Sequence, residues 1–186
     1  KVKINRLKNY IDDLDTLPLP AWDLIDLDKF EMKLDHYYNP NKLKIKHKAA
    51  IFSSRACPLA CNFCDMFLVM GKKHRKRSIR TIVNEIELLH KEYGVNYFSF
   101  MDDQLTLNRG HVMELCDEIL KRNIKIVFDT PNGLWLNSLR EEVIAKMAEA
   151  GLANANLAIE HGNEYIRNKI VGKNLIISTN NSLRVL

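Results

Sequence analysis

Between residues 49 and 170 one pattern repeats four times: a short run of strand-forming residues, then a longer stretch with apolar residues at helical spacing. The first strand is expected at 49–53. Its helix opens at Ser78, carries Ile79, Ile82, Val83, Ile86 and Leu89 on one stripe, and stops at Gly94. A second strand at 97–101 runs into the acidic turn Asp102-Asp103. The helix that starts near Asn108 buries Val112, Leu115, Cys116, Ile119 and Leu120. A third strand is expected at 124–128, and its helix opens with a capping box, Ser138 and Glu141, and ends at Gly151. A fourth strand at 153–159 and a short helix at 164–170 complete the series. Successive strand–helix units predict an α/β fold with a parallel sheet and right-handed crossovers.

An open doubly wound sheet and an arc of a barrel both satisfy that pattern, and the fourth strand favours the barrel. Its alternation puts Ala155, Leu157 and Ile159 on one face and Asn154, Asn156 and Glu160 on the other. A strand covered by helices on both sides would be apolar throughout. A polar face suits a barrel interior that holds a ligand. Closing such a ring takes about 250 residues, so the expectation is a partial (β/α) barrel, the first half of a ring in a longer chain. Residues 48–174 would form this core and 175–186 a tail without a further unit. Residues 1–47 read as an N-terminal linker, irregular around Pro18, Pro20 and Trp22, with a turn at Asn39-Pro40-Asn41.

Composition excludes little. No stretch approaches the roughly 18 apolar residues a membrane helix needs, and the first residues do not resemble a signal peptide. A cytoplasmic protein without membrane contact is expected. The net charge of +5 gathers in two runs, Lys42 to Lys48 and Lys72 to Arg77. These are read as solvated faces rather than as a nucleic-acid site.

The cysteines are more informative. Cys57, Cys61 and Cys64 fall in Arg55-Ala56-Cys57-Pro58-Leu59-Ala60-Cys61-Asn62-Phe63-Cys64, directly after the first strand. Three thiolates in one loop suit an iron–sulfur cube, and three ligands for four irons leave one iron open to a substrate group. Structural zinc wants four ligands, for which His47, His74 and Cys116 are the nearest candidates. Cys116 lies on an apolar helical stripe and is expected to be a small buried hydrophobe. An electron-transfer cluster would normally use a fourth cysteine, and none is near.

The C-x3-C-x-aromatic-C motif after the first strand of a βα barrel resembles the signature of the radical S-adenosylmethionine (SAM) superfamily. The resemblance implies that Cys57, Cys61 and Cys64 bind a [4Fe–4S] cluster. It further implies that the open iron binds SAM, and that an electron from the cluster cleaves SAM to a 5′-deoxyadenosyl radical. Leu17-Pro18-Leu19-Pro20-Ala21-Trp22-Asp23-Leu24 resembles the linker after the cobalamin domain of B12-dependent members. Phe100 to Thr106 and Ile159-Glu160-His161-Gly162 look like two strand ends of that branch. By this resemblance Phe63 contacts the adenine, largely through its backbone, Asp102 and Asp103 occupy the place where many relatives bind the SAM amino group with a glycine-rich segment, and Glu160 reaches the SAM ribose or amino group. No D-x-H-x-x-G cobalamin loop occurs in the sequence, so cobalamin would bind a domain preceding this chain.

The implied function is the core of a cobalamin-dependent methyltransferase or ring-forming enzyme, acting on an unidentified small molecule or peptide. Its reductant would be a flavodoxin or ferredoxin. A cobalamin-independent, methylthiotransferase-like RNA modifier and a non-enzymatic metal or electron-transfer module stand as alternatives.

Overall fold

The computed structural model describes residues 9–29, 39 and 42–173. In chain order it contains β1 (His47–Ile51), β2 (Ser54–Arg55), α1 (Met66–Met70), β3 (Arg75–Lys76), α2 (Ile79–Tyr93) and β4 (Val95–Phe100). Then follow α3 (Arg109–Lys121), β5 (Val127–Leu134), α4 (Glu141–Glu149) and β6 (Leu152–Leu157). β1, β4, β5 and β6 form one parallel sheet in that order, and β2 pairs with β3 as a two-residue antiparallel ribbon. Each crossover advances by one strand in the same direction. With right-handed crossovers this keeps the helices on one face, which is the arc of a barrel and not a doubly wound sheet.

Local chemistry explains most element boundaries. Ser78 caps α2 by accepting from the Thr81 N–H at 3.2 Å. Gly94, at φ +64°, donates to the Leu89 carbonyl in the left-handed conformation that costs glycine little. Asn108 caps α3 by accepting from His111 N at 2.9 Å. The capping box expected at Ser138 does not form. Leu139 and Arg140 are extended, so α4 begins at Glu141 with Arg140 at its N-cap, and Ser138 Oγ donates to the Trp135 carbonyl at 2.7 Å. Glu141 and Glu142 still place negative charge on the first turn, where the helix dipole favours it.

The third strand also departs from the expected 124–128. Ile124 and Ile126 are buried, but the strand starts at Val127 and continues through Pro131 and Gly133. The pairing shifts register between Thr130 and Leu134, so Pro131 stands where the ladder is already interrupted. Among the described residues the last helical segment is a π-helical turn, Ile166–Ile170.

On the helix side, Ile51, Phe98, Phe100 and Phe128 pack against Ile82, Ile86, Val112, Leu115, Val143 and Met147. Phe100 and Phe128 meet edge to face with centroids 5.3 Å apart. Burying each such side chain contributes about 1.5–3 kcal/mol. The other face is polar. Register places Ala50, Ser99, Asp129 and Asn154 in one row across the four strands. Asp129 accepts from Tyr97 Oη at 2.9 Å and from Ser99 Oγ, with Lys48 Nζ at 3.6 Å. Asn154 and Asn156 are exposed on this concave side, as the fourth-strand alternation predicts.

The N-terminal segment is docked through Leu14, Trp22 and Leu27, all buried. Trp22 Nε1 donates to Glu85 at 3.3 Å, and Glu85 is paired with Arg77 at 2.5 Å. Of the expected turn at 39–41, the Asn39 carbonyl accepts from Lys42 N at 3.0 Å. Pro40, Asn41 and the tail at 175–186 lie outside the described residues.

Candidate active site

The β2–β3 ribbon pinches off residues 56–74 as one excursion from the C-terminal end of β1, and this excursion carries all three motif cysteines. Its base is stapled from inside. Arg75 is buried and donates to the Ile11 carbonyl at 2.6 Å and to that of Met70. Arg77 donates to the Phe52 carbonyl at 3.0 Å. The basic run at 72–77 is therefore not wholly a solvated face: Lys72, Lys73 and Lys76 are exposed, whereas the two arginines hold the loop. An arginine presents a fork of donors that can take several carbonyls at once.

Within the excursion, Ala56 (φ +74°) and Ala60 (φ +49°) adopt the left-handed region that disfavours a Cβ. Such conformations persist only where the surroundings fix them, and they gather at functional sites. Asp103 fixes the first by accepting from Ala56 N at 3.0 Å. The residue between Cys61 and Phe63 is held from the loop after β6. Asn62 N donates to the Val171 carbonyl at 3.0 Å, and Asn62 Nδ2 to that of Ile170 at 2.8 Å.

Three strand-end loops thus enclose a cavity of about 370 Å³. Cys57, Cys61, Cys64, Phe63, Asp103 and Glu160 line it together, so six of the seven residues singled out from sequence share one wall-to-wall space. The seventh, Asp102, does not line it. Its carboxylate is buried, accepting from Ser53 N at 3.0 Å, Ser53 Oγ at 2.6 Å and Ser54 Oγ at 2.5 Å. Adjacent residues leaving a strand point opposite ways, so Asp103 faces the cavity while Asp102 ties the end of β4 to the end of β1.

Gln104, Asn132 and Lys173 also line the cavity and were missed by sequence reasoning. Gln104 accepts from Trp135 N at 2.9 Å, and Asn132 donates to the Met101 carbonyl at 2.9 Å. A polar residue just past a strand end was the available signal for Gln104. Asn132 was hidden because the third strand was ended too early. Lys173, thirteen residues after Glu160, pairs with its carboxylate.

Burial pushes the Cys57 thiol up, reinforced by the neighbouring cysteines and Asp103. Burial likewise raises Cys61, against the pull of the Lys173 ammonium. Burial also raises Asp103, opposed by its bond from Ala56. Loading these thiols with metal must therefore release protons.

All three cysteines are free thiols on one cavity. Among the described residues, no three His, Cys, Asp or Glu side chains converge as one metal ion would require. A cube asks for less convergence, since each thiolate binds a different iron, so the donor set fits a [4Fe–4S] cluster better than mononuclear zinc. Of the other zinc candidates, His74 keeps a buried Nε2 without a hydrogen-bond partner but does not line this cavity, and the remaining two are engaged elsewhere. His47 bonds the Tyr93 carbonyl and Asp28, each at 2.7 Å, at the opposite end of β1. Cys116 is 1% exposed in the core, and burial pushes its thiol up to about 12.

The chain is similar to cytidylyl-2-hydroxyethylphosphonate methyltransferase of Streptomyces wedmorensis, at 32% identity over 164 residues covering 88% of this chain and 30% of that protein. Among solved structures it resembles the radical SAM methyltransferase TsrM of Kitasatospora setae, with a TM-score of 0.60 and 20% identity over 64% of this chain and 23% of that one. It also resembles the cobalamin-dependent SAM radical enzyme OxsB, with a TM-score of 0.59 and 22% identity over 73% and 21%. The chain thus spans under a third of the length of these relatives. Residues 51–176, which take in the last residue of β1, the cysteine loop and the other three parallel strands, match the family model of the radical SAM superfamily, and the chain belongs to that superfamily of enzymes.

Proposed function

We propose that this chain is the cluster- and SAM-binding part of a cobalamin-dependent radical SAM enzyme, a methyltransferase or a related ring-forming enzyme. The observation that carries the reading is the placement of three free cysteines, Phe63, Asp103 and Glu160 on one cavity at the C-terminal end of a parallel sheet. That is where βα loops assemble active sites. The kinship with a methyltransferase and a cobalamin-dependent enzyme supports the choice of branch. The buried Arg75 and the half-buried Arg77, each bonded to backbone carbonyls, weigh against the RNA-modifying alternative, because those contacts take two cations out of the basic run.

Cys57, Cys61 and Cys64 would hold the [4Fe–4S] cluster, which supplies the electron that cleaves SAM to methionine and a 5′-deoxyadenosyl radical. The chain's own residues bind and orient. Phe63 offers an exposed ring, 62% accessible, for the adenine to lie against. Asp103 and Glu160 present carboxylates suited to an ammonium or to ribose hydroxyls. Gln104 and Asn132, each anchored to backbone, define the polar floor. A flavodoxin or ferredoxin is the proposed electron donor.

The test is anaerobic reconstitution with iron and sulfide, followed by a SAM titration watched by electron paramagnetic resonance. Replacing any one of Cys57, Cys61 or Cys64 with Ala should abolish the [4Fe–4S] absorbance, while Cys116→Ala should retain it. Cluster loss in the Cys116 variant alone would overturn the ligand assignment. An unchanged resonance on adding SAM to the clustered protein would overturn the SAM site.

A further inference from the structure

We infer that Lys173 raises the reduction potential of the metal centre held at Cys61, with Glu160 as the counter-charge that limits the effect. The inference rests on the [4Fe–4S] reading above and adds to it a residue that tunes the centre. Among the described residues lining the cavity, Lys173 is the one cation; Asp103 and Glu160 are the anions.

Its position is fixed from two sides. Lys173 N donates to the Arg167 carbonyl at 3.1 Å. The preceding Gly172, at φ +78°, lies against Asn62, and a Cβ there would meet its side-chain amide at van der Waals contact, 3.4 Å. Asn62 in turn bonds the carbonyls of Ile170 and Val171 and directly follows Cys61 in sequence. The segment bearing the ammonium is thereby latched to the loop bearing the thiol.

The Lys173–Glu160 pair does not cancel itself at the cysteines. The Lys173 side chain is 4% exposed and that of Glu160 28%. Water screens the more exposed carboxylate, while the buried ammonium acts through a low-dielectric interior. Glu160 also holds φ +68°, an unfavourable backbone for a residue with a Cβ. A merely structural surface pair could form from relaxed backbone, so the strain points to a geometry kept for the cavity. Reduction adds one negative charge to a centre already made anionic by thiolates. A buried cation beside it favours the reduced form, and net charge is among the quantities that set such potentials.

The experiment is a potentiometric titration of the anaerobically reconstituted full chain with dithionite as one-electron donor, without SAM, monitored by electron paramagnetic resonance. Lys173→Gln should shift the reduced-to-oxidised ratio at a given potential at least tenfold toward oxidised, a fall of about 59 mV for a one-electron couple. Lys173→Arg, which keeps the charge, should titrate like the parent. Glu160→Gln should shift the midpoint the opposite way, and the double variant should return toward the parent value. Equal midpoints in clustered parent, Lys173→Gln and Glu160→Gln proteins would overturn this inference while leaving the cluster site intact. A parent protein that takes up no [4Fe–4S] cluster would overturn both.

Discussion

Asp102 offers the sharpest test of the division of labour at the end of β4. Its carboxylate is 2% exposed and takes one backbone N–H and two hydroxyls, at 3.0, 2.6 and 2.5 Å, from the residues that lead into the cysteine loop. In Asp102→Ala the two serine hydroxyls can rotate toward other acceptors, but Ser53 N cannot. One orphaned buried donor costs about 1–3 kcal/mol, and each lost bond to a charged acceptor about 1.5–3 kcal/mol. The three bonds share one carboxylate and do not add fully, so the expected loss is about 3–4 kcal/mol. Against a typical domain stability of about 5–15 kcal/mol, that is a large share.

Asp102→Asn keeps the shape. Burial already pushes the Asp102 carboxyl above its usual range, with the Ser53 and Ser54 bonds opposing. A neutral amide escapes that burial cost, accepts from Ser53 N and donates to the hydroxyls. Its expected loss is about 1 kcal/mol or less. Urea unfolding of the two variants against the parent gives both differences from the shift in midpoint at constant slope. Equal losses in Ala and Asn, or two losses below about 0.5 kcal/mol, would refute the buried-clamp argument.

His111 predicts a pH dependence. Burial, then the charges of Lys76 and His74, hold its imidazole down at about 4 in the folded chain against 6.5 for the free side chain. The folded state therefore disfavours the charged form. Stability from this group is complete above pH 6.5 and is lost as pH falls from 6.5 through about 4, by no more than about 3 kcal/mol. His111→Gln should flatten that part of the stability profile measured by urea titration between pH 7 and 4, and an unaltered slope would count against it. Gly151 predicts a steric failure. An added Cβ would lie 2.2 Å from the Ile126 carbonyl oxygen at φ +112°, so Gly151→Ala should cost about 4 kcal/mol or more, or prevent folding. Gly162→Ala, with nothing within 4 Å, is the matched control and should stay within about 0.5 kcal/mol by thermal melting.

What the sequence determined by itself is whatever depends on periodicity and close spacing. The helical stripe from Ile79 to Leu89 with its Ser78 and Gly94 ends, the parallel order, and the cysteine loop are local patterns. Covalent proximity and repeat period fix them before any tertiary contact exists. The alternation in the fourth strand likewise announced a polar concave face, because side chains in a strand must point to opposite sides. Tertiary structure decided the rest. Ser138 and Glu141 satisfy the capping-box pattern, yet the path from Trp135 keeps Leu139 and Arg140 extended, and the serine bonds elsewhere. Asp102 and Asp103 are equivalent as letters. Only the pairing of β1 with β4 sends one carboxylate into the serines and the other to the cavity. Lys173 carries no motif at all. It becomes a cavity residue because the loop after β6 folds back onto Asn62, a contact between positions 108 residues apart. Contacts at that separation depend on how whole elements pack, and no window of sequence contains both partners.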